Sequence, residues 1–142
     1  MTSVRELEQA SIHLEDNDSF EDERTQRWLE LLLALGSSLG GARPKASVLD
    51  PESQLWIAKF PSKNDQKDSG AWEYIVNQLA KDAGVNVSQS DIRGYSEFGH
   101  SFLTKRFDRE GSQRIHFAPA MTMLGYKDGY DYRDGGSHRL TT

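Results

Sequence analysis

The residue with the clearest chemical potential in this sequence is a lysine set inside an apolar run, Lys59 in Ile57-Ala58-Lys59-Phe60-Pro61. A charge in such a run needs a partner. Before it comes a small-residue stretch, Gly36-Ser37-Ser38-Leu39-Gly40-Gly41-Ala42-Arg43-Pro44-Lys45, and after it Glu73. That order suits a nucleotide phosphate: a loop to cover it, a strand cation to pair with it, and a helix carboxylate to hold the cation, as in kinases. Gly36 and Gly41 have the spacing that opens a P-loop, but Ala42 and Arg43 stand where Lys and then Ser or Thr are required, so this is not a Walker A motif. Taken alone, the glycine stretch reads better as a connector from helix to strand. A third piece is Phe102-Leu103-Thr104-Lys105-Arg106-Phe107-Asp108-Arg109, an apolar strand ending in charge. In a nucleotide-binding lobe its backbone would meet adenine; the plainer reading is a solvated strand end with an Arg106–Asp108 surface pair.

Several elements must position these residues. Glu73 belongs to the clearest helix, residues 69–83. There Trp72, Ile75, Val76, Leu79, Ala80 and Ala83 repeat at i, i+3, i+4, i+7, with Asp68 or Ser69 as cap and Gly84 as stop. This stripe predicts Trp72 in the core, and Glu73 at its edge, able to point toward the sheet. Lys59 belongs to the second of two short strands, 46–49 and 55–60, joined by Asp50-Pro51-Glu52-Ser53 as a hairpin turn. Trp56 alternates with Leu55 and so faces the opposite side of the sheet. Strands near 91–95 and 101–107, linked by the glycine-containing 96–100, form a second hairpin, and 118–124 makes one or two helical turns. A helix over 20–35 carries Trp28, Leu31, Leu32 and Leu35 on one face and acids in its first turn. Residues 1–18 are polar and acidic with little periodicity and read as a frayed or loosely docked leader.

Composition removes several classes of function. A chain of 142 residues fits one domain, and with 36% hydrophobic and 27% charged residues its core is modest. The net charge of −5 argues against nucleic-acid binding by the whole surface. There is no cysteine, hence no disulfide and no thiolate metal site, which fits the cytosol. The longest apolar run, 31–35, is too short to span a membrane, and the N-terminus lacks the order of a signal peptide. His13, His100, His116 and His138 form no i, i+4 pair, so a histidine metal cluster is not expected. Asp128, Asp131 and Asp134 lack the alternate spacing of an EF-hand and read as a solvated flap rather than a metal site.

Together the blocks Leu39-Gly40-Gly41-Ala42-Arg43-Pro44-Lys45-Ala46, Leu55-Trp56-Ile57-Ala58-Lys59-Phe60-Pro61-Ser62, Gly70-Ala71-Trp72-Glu73, Lys105-Arg106-Phe107-Asp108-Arg109 and Arg114-Ile115-His116-Phe117-Ala118 carry a family resemblance. Their order and spacing resemble HipA-family serine/threonine kinase toxins of bacterial type II toxin–antitoxin systems, over about residues 28–125. The resemblance implies an α+β fold like a kinase small lobe, a mainly antiparallel sheet packed on helices. It implies ATP as cofactor, held by the loop residues Ser38, Gly40, Gly41, Ala42 and Lys45, by Lys59 and Glu73, and by an adenine hinge at Lys105 and Phe107 acting mostly through backbone. It also implies autophosphorylation at Ser38, with Ser37 next, moving the loop out of the ATP site.

The departures shape the remaining expectations. The family's Asp-x-His-x-x-Asn motif and later metal-binding Asp are not in this sequence. No residue is therefore expected to be catalytic and none to bind metal, with Mg²⁺ belonging to the complete family enzyme. The expected organisation is a partly flexible leader over 1–27, a small lobe over 28–125, cut off before the large lobe, and a flexible acidic, glycine-rich tail over 126–142. The chain is expected to bind ATP without turning it over, or instead to be a non-catalytic module or remnant. Such a module would dock on an antitoxin or another kinase subunit, or self-associate, with no direct nucleic-acid or membrane contact.

Overall fold

The computed structural model of the chain describes residues 3–16, 43–111 and 113–125. The helix expected over 20–35, most of the glycine loop and the tail from 126 lie outside the described residues. In order come helix α1 (Val4–Asp16), strands β1 (Lys45–Leu49) and β2 (Leu55–Lys59), helix α2 (Ser69–Asp82), and strands β3 (Ser90–Ser96) and β4 (Gly99–Lys105). A two-residue pair, β5 (Arg109–Glu110) with β6 (Gln113–Arg114), and the single turn α3 (Ala120–Met123) follow. The first four strands form one antiparallel sheet in the order β1-β2-β4-β3, with helices on both faces, so the fold is α+β as expected.

Both hairpins form where turn chemistry places them. Between β1 and β2, Asp50 accepts the Ser53 amide on its carbonyl and the Gln54 amide on its carboxylate, while Ser53 takes a φ of 62°. The register sets Ala46 opposite Ala58 and Val48 opposite Trp56, and Ala58 in turn opposite Leu103 of β4. Period-2 alternation therefore puts these five side chains on one face. That face packs on α1: Leu7, Ala46, Ala58, Phe60 and Leu103 make a buried cluster, with Val4, Val48 and Trp56 against its edge.

Residues 4–16 correct the expectation of a frayed leader. Ser3 and Glu6 close a capping box, the Glu6 amide donating to the Ser3 hydroxyl and the Ser3 amide to the Glu6 carboxylate. Leu7 and Ala10 are fully buried, as is Glu8, which accepts the Ser101 hydroxyl of β4. Glu15 accepts from Ser62 and the Lys63 amide after β2, fixing the far end of the helix.

Helix α2 lies on the other face. Asp68 caps its start by accepting the Ala71 amide and also binds the His100 ring and backbone. Its end is a Schellman motif: the Val85 amide donates to Ala80 and the Gly84 amide to Lys81, with Gly84 at φ 80°. Gly70 is buried so tightly that a Cβ there would stand 1.9 Å from the His100 carbonyl oxygen. The orientation of the helix corrects a second expectation. Residues 70, 73, 74 and 77 turn toward the sheet, whereas Trp72 (56% exposed), Ile75, Val76 and Leu79 remain open to solvent. Trp72 is therefore not a core residue.

Candidate functional site

The sheet-facing side of α2 carries polar groups because it borders a cleft rather than a core. On this face β2 contributes Ile57 and Lys59 and β4 contributes Phe102 and Thr104, paired across the strands as Lys59 with Phe102 and Ile57 with Thr104. Across the gap stand Glu73, Asn77 and Ala80 of α2, and Val87 and Phe107 close the far end. The cleft holds about 640 Å³. Deeper β4 residues are buried, Phe102 at 3% exposure, so the floor is dry while the mouth is wet.

Lys59 and Glu73 form an ion pair across this cleft. The ammonium also sits 5.6 Å from the Phe102 ring centroid, within cation–π range. The lysine in its apolar strand thus has the partner that its position demands. Both side chains are partly exposed, so the pair is worth little in stability. Its consequence is geometric: the ammonium is held at the cleft wall, and its remaining donors can take further acceptors.

The glycine stretch enters the sheet beside this pair. Lys45 begins β1 opposite Lys59, and the Phe60 amide donates to the Pro44 carbonyl. Arg43, the first described residue of that segment, pairs with Asp65 in the connection to α2. Burial alone would raise the Asp65 carboxyl, but the Arg43 and Ser62 hydrogen bonds bring it below its ordinary value. The C-terminal end of the loop is thereby fixed next to Lys59. Lys45 itself does not line the cleft, and Ser37, Ser38, Gly40, Gly41 and Ala42 lie outside the described residues.

At the other end, the strand terminus is tied internally. The Lys105 amide donates to the Gln89 carbonyl and the Arg106 amide to the Leu55 carbonyl. A ligand meeting Lys105 through backbone must therefore use its carbonyl oxygen, not its amide. Asp108 is buried between Arg106 and Arg109, which hydrogen-bond its carboxylate; Arg106 foremost holds that carboxyl below its ordinary value. The Asp108 carbonyl also accepts the Ile115 amide, drawing the segment after β6 to the cleft. The Arg106–Asp108 contact is therefore a buried knot rather than a loose surface pair.

Of the residues singled out from sequence, the structure brings Lys59, Glu73, Lys105 and Phe107 to one cleft. Sequence reasoning assigned no role to Phe117, whose ring meets Phe107 edge-to-face with centroids 4.9 Å apart. Phe117 stands in the block Arg114-Ile115-His116-Phe117-Ala118 that carries part of the resemblance, but spacing does not reveal the Ile115–Asp108 hydrogen bond that draws the segment in. Among the described residues no three His, Asp or Glu side chains are grouped to hold a metal ion, and no helix is long and apolar enough to cross a membrane. A family model described as the HipA-like C-terminal domain matches residues 37–142, which takes in the whole sheet, α2 and the cleft. No curated protein matches the chain.

Proposed function

The chain belongs to the HipA-like C-terminal domain family, and from that premise we propose that its cleft binds ATP as the nucleotide-holding part of a HipA-like protein serine/threonine kinase, the toxin of a toxin–antitoxin pair. The observation that carries this reading is the Lys59–Glu73 pair inside a cleft that runs on to Lys105 and Phe107. The residues fit the cofactor end by end. Lys59, steadied by Glu73, offers an ammonium to phosphate oxygens, and the apolar far end suits a base, whose donor the Lys105 carbonyl would accept. Gly40, Gly41 and Ala42 would lie over the phosphates, brought there by the anchored Arg43. A phosphate on Ser38, or on Ser37, would repel that cover from bound ATP.

Binding is half of phosphoryl transfer; the other half is proton removal from the acceptor hydroxyl and metal-held charge. Among the described residues no three acidic or histidine side chains are grouped to hold Mg²⁺. The chain alone accordingly binds ATP without transferring its phosphate. Titration with ATP tests the first statement: Lys59→Ala should weaken binding at least tenfold, and an unchanged affinity would overturn the assignment. Incubation with ATP, Mg²⁺ and a serine peptide tests the second, and robust turnover would sink it.

A second reading has its own observation. The apolar residues Trp72, Ile75 and Leu79 are 45–61% exposed on the outside of α2, beside Val76 at the rim of the cleft, which favours an interaction module that docks on an antitoxin, a complementary kinase lobe or itself. Sedimentation at rising concentration distinguishes the two: a clean monomer that binds no apolar dye argues against the module.

A further inference from the structure

At the end of the cleft away from Lys59 two benzene rings meet. Phe107 follows the end of β4, and Phe117 lies beyond β6, drawn in by the Ile115–Asp108 hydrogen bond. Both line the cleft although they are 62% and 51% exposed. Their planes cross at 69°. In an edge-to-face pair each ring keeps at least one flat face uncovered by the other, and each ring is braced against rotation. Large aromatic faces left half-wet beside a cleft lose hydration and gain contact when a flat apolar group slides in. Lys59 stands opposite Phe102, and Lys105 is three strand residues further on, about 10 Å at the rise of a strand. A ligand reaching both ends thus needs an anionic group separated from a flat ring by roughly that distance.

We propose that Phe117 forms the stacking wall for the base of the nucleotide, with Phe107 bracing its ring. This rests on the nucleotide reading and adds to it a specificity-determining residue outside the strand terminus. Stacking on an aromatic ring tolerates any base, so the wall selects nucleotides over bare polyphosphates rather than adenine over guanine. Asp108 acts behind it as a positioning residue, because its carboxylate fixes the turn at Phe107 and its carbonyl holds Ile115.

The test compares ATP with inorganic triphosphate on the full chain. In Phe117→Leu, which keeps apolar bulk and removes the ring, ATP affinity should fall about tenfold, the scale of base stacking, while triphosphate affinity stays unchanged. Phe117→Trp should restore ATP binding, with indole fluorescence that responds to ATP and not to triphosphate. If Phe117→Leu leaves ATP affinity intact while Lys59→Ala lowers it, the stacking wall is wrong and the nucleotide reading stands. If the unaltered chain binds ATP no better than triphosphate, the wall is wrong; if it binds neither, both are.

Discussion

The two faces of one four-stranded sheet have been put to opposite uses. Toward α1, the strands present Ala46, Ala58 and Leu103, and Leu7 completes a buried apolar cluster with them. Toward α2, the same strands present Lys59, Phe102 and Thr104, and the helix answers with Glu73 and Asn77 across an open cleft. A one-residue step along β2 moves from fully buried Ala58 to Lys59, whose charge is held by Glu73. The α1 face is held by apolar burial, and the α2 face combines the tight approach at Gly70 with a cleft that carries an ion pair.

The largest expected effect comes from breaking the packed face. Leu7→Ala should cost about 2–5 kcal/mol, as buried leucine truncations do, read from a urea unfolding midpoint. A change below about 0.5 kcal/mol would mean that α1 is not part of the core. Next is the junction of the two faces at Gly70. Gly70→Ala forces a methyl group into the His100 carbonyl and should cost about 1–3 kcal/mol, the range of overpacking. It should also lower ATP affinity by shifting Glu73, whereas Leu7→Ala lowers stability alone.

Acid should act through the carboxylates held low, which include Glu6 in the α1 cap and Asp50 in the first hairpin turn as well as three aspartates near α2 or the end of β4. Asp108, Asp65 and Asp68 are all held below the ordinary aspartate range: Asp108 by Arg106, Asp65 and Asp68 by hydrogen bonds that outweigh their burial. A carboxyl so held lends stability at neutral pH and withdraws it as pH falls from about 3.9, the free aspartate value, through the folded value. The urea midpoint should therefore fall as pH drops below about 5 and go on falling through the lowered folded values, and Asp108→Asn should flatten part of that drop. An identical slope in Asp108→Asn would separate the Arg106 knot from acid stability. The smallest stability change belongs to Lys59→Ala, under about 1 kcal/mol for a half-exposed pair, although this substitution should remove most of the ATP binding. A large loss of stability with no loss of binding would invert the comparison between the faces.

Much of the scaffold was legible in sequence, and the errors share a cause. The strand pairs were readable because Asp50-Pro51-Glu52-Ser53 and the glycine-containing 96–100 specify turns locally. The extent of α2 was readable from Asp68 and Gly84, which terminate it by backbone geometry. Its orientation was not: periodicity identifies an apolar stripe, but the inward side here is the one that borders the cleft, so Trp72 faces out and Glu73 faces in. Helix α1 was missed because its buried face includes Glu8 and Ser11, which a hydropathy pattern scores as surface; Ser3 and Glu6 were the signal that marked its start. The meeting of Lys59 with Glu73 could be anticipated because each sits on a regular element. Phe117 could not, because a short irregular segment after β6 brings it in. The glycine stretch before β1 is described only at Arg43, Pro44 and Lys45.

The contact between Gly70 and the His100 carbonyl gives α2 a mechanical character. One end of the helix is clamped to the sheet by that contact and by Asp68, and the other is tied to β3, where the Gln78 side-chain amide donates to the Ser90 hydroxyl and that hydroxyl donates to Asn77. Fourteen residues of helix make an arm about 21 Å long. An arm pinned near both ends resists tilting, so the wall that carries Glu73 rests like a bridge on two piers. Glu73 sits in the span between them, and its salt link to Lys59 is kept in reach by the supports on either side.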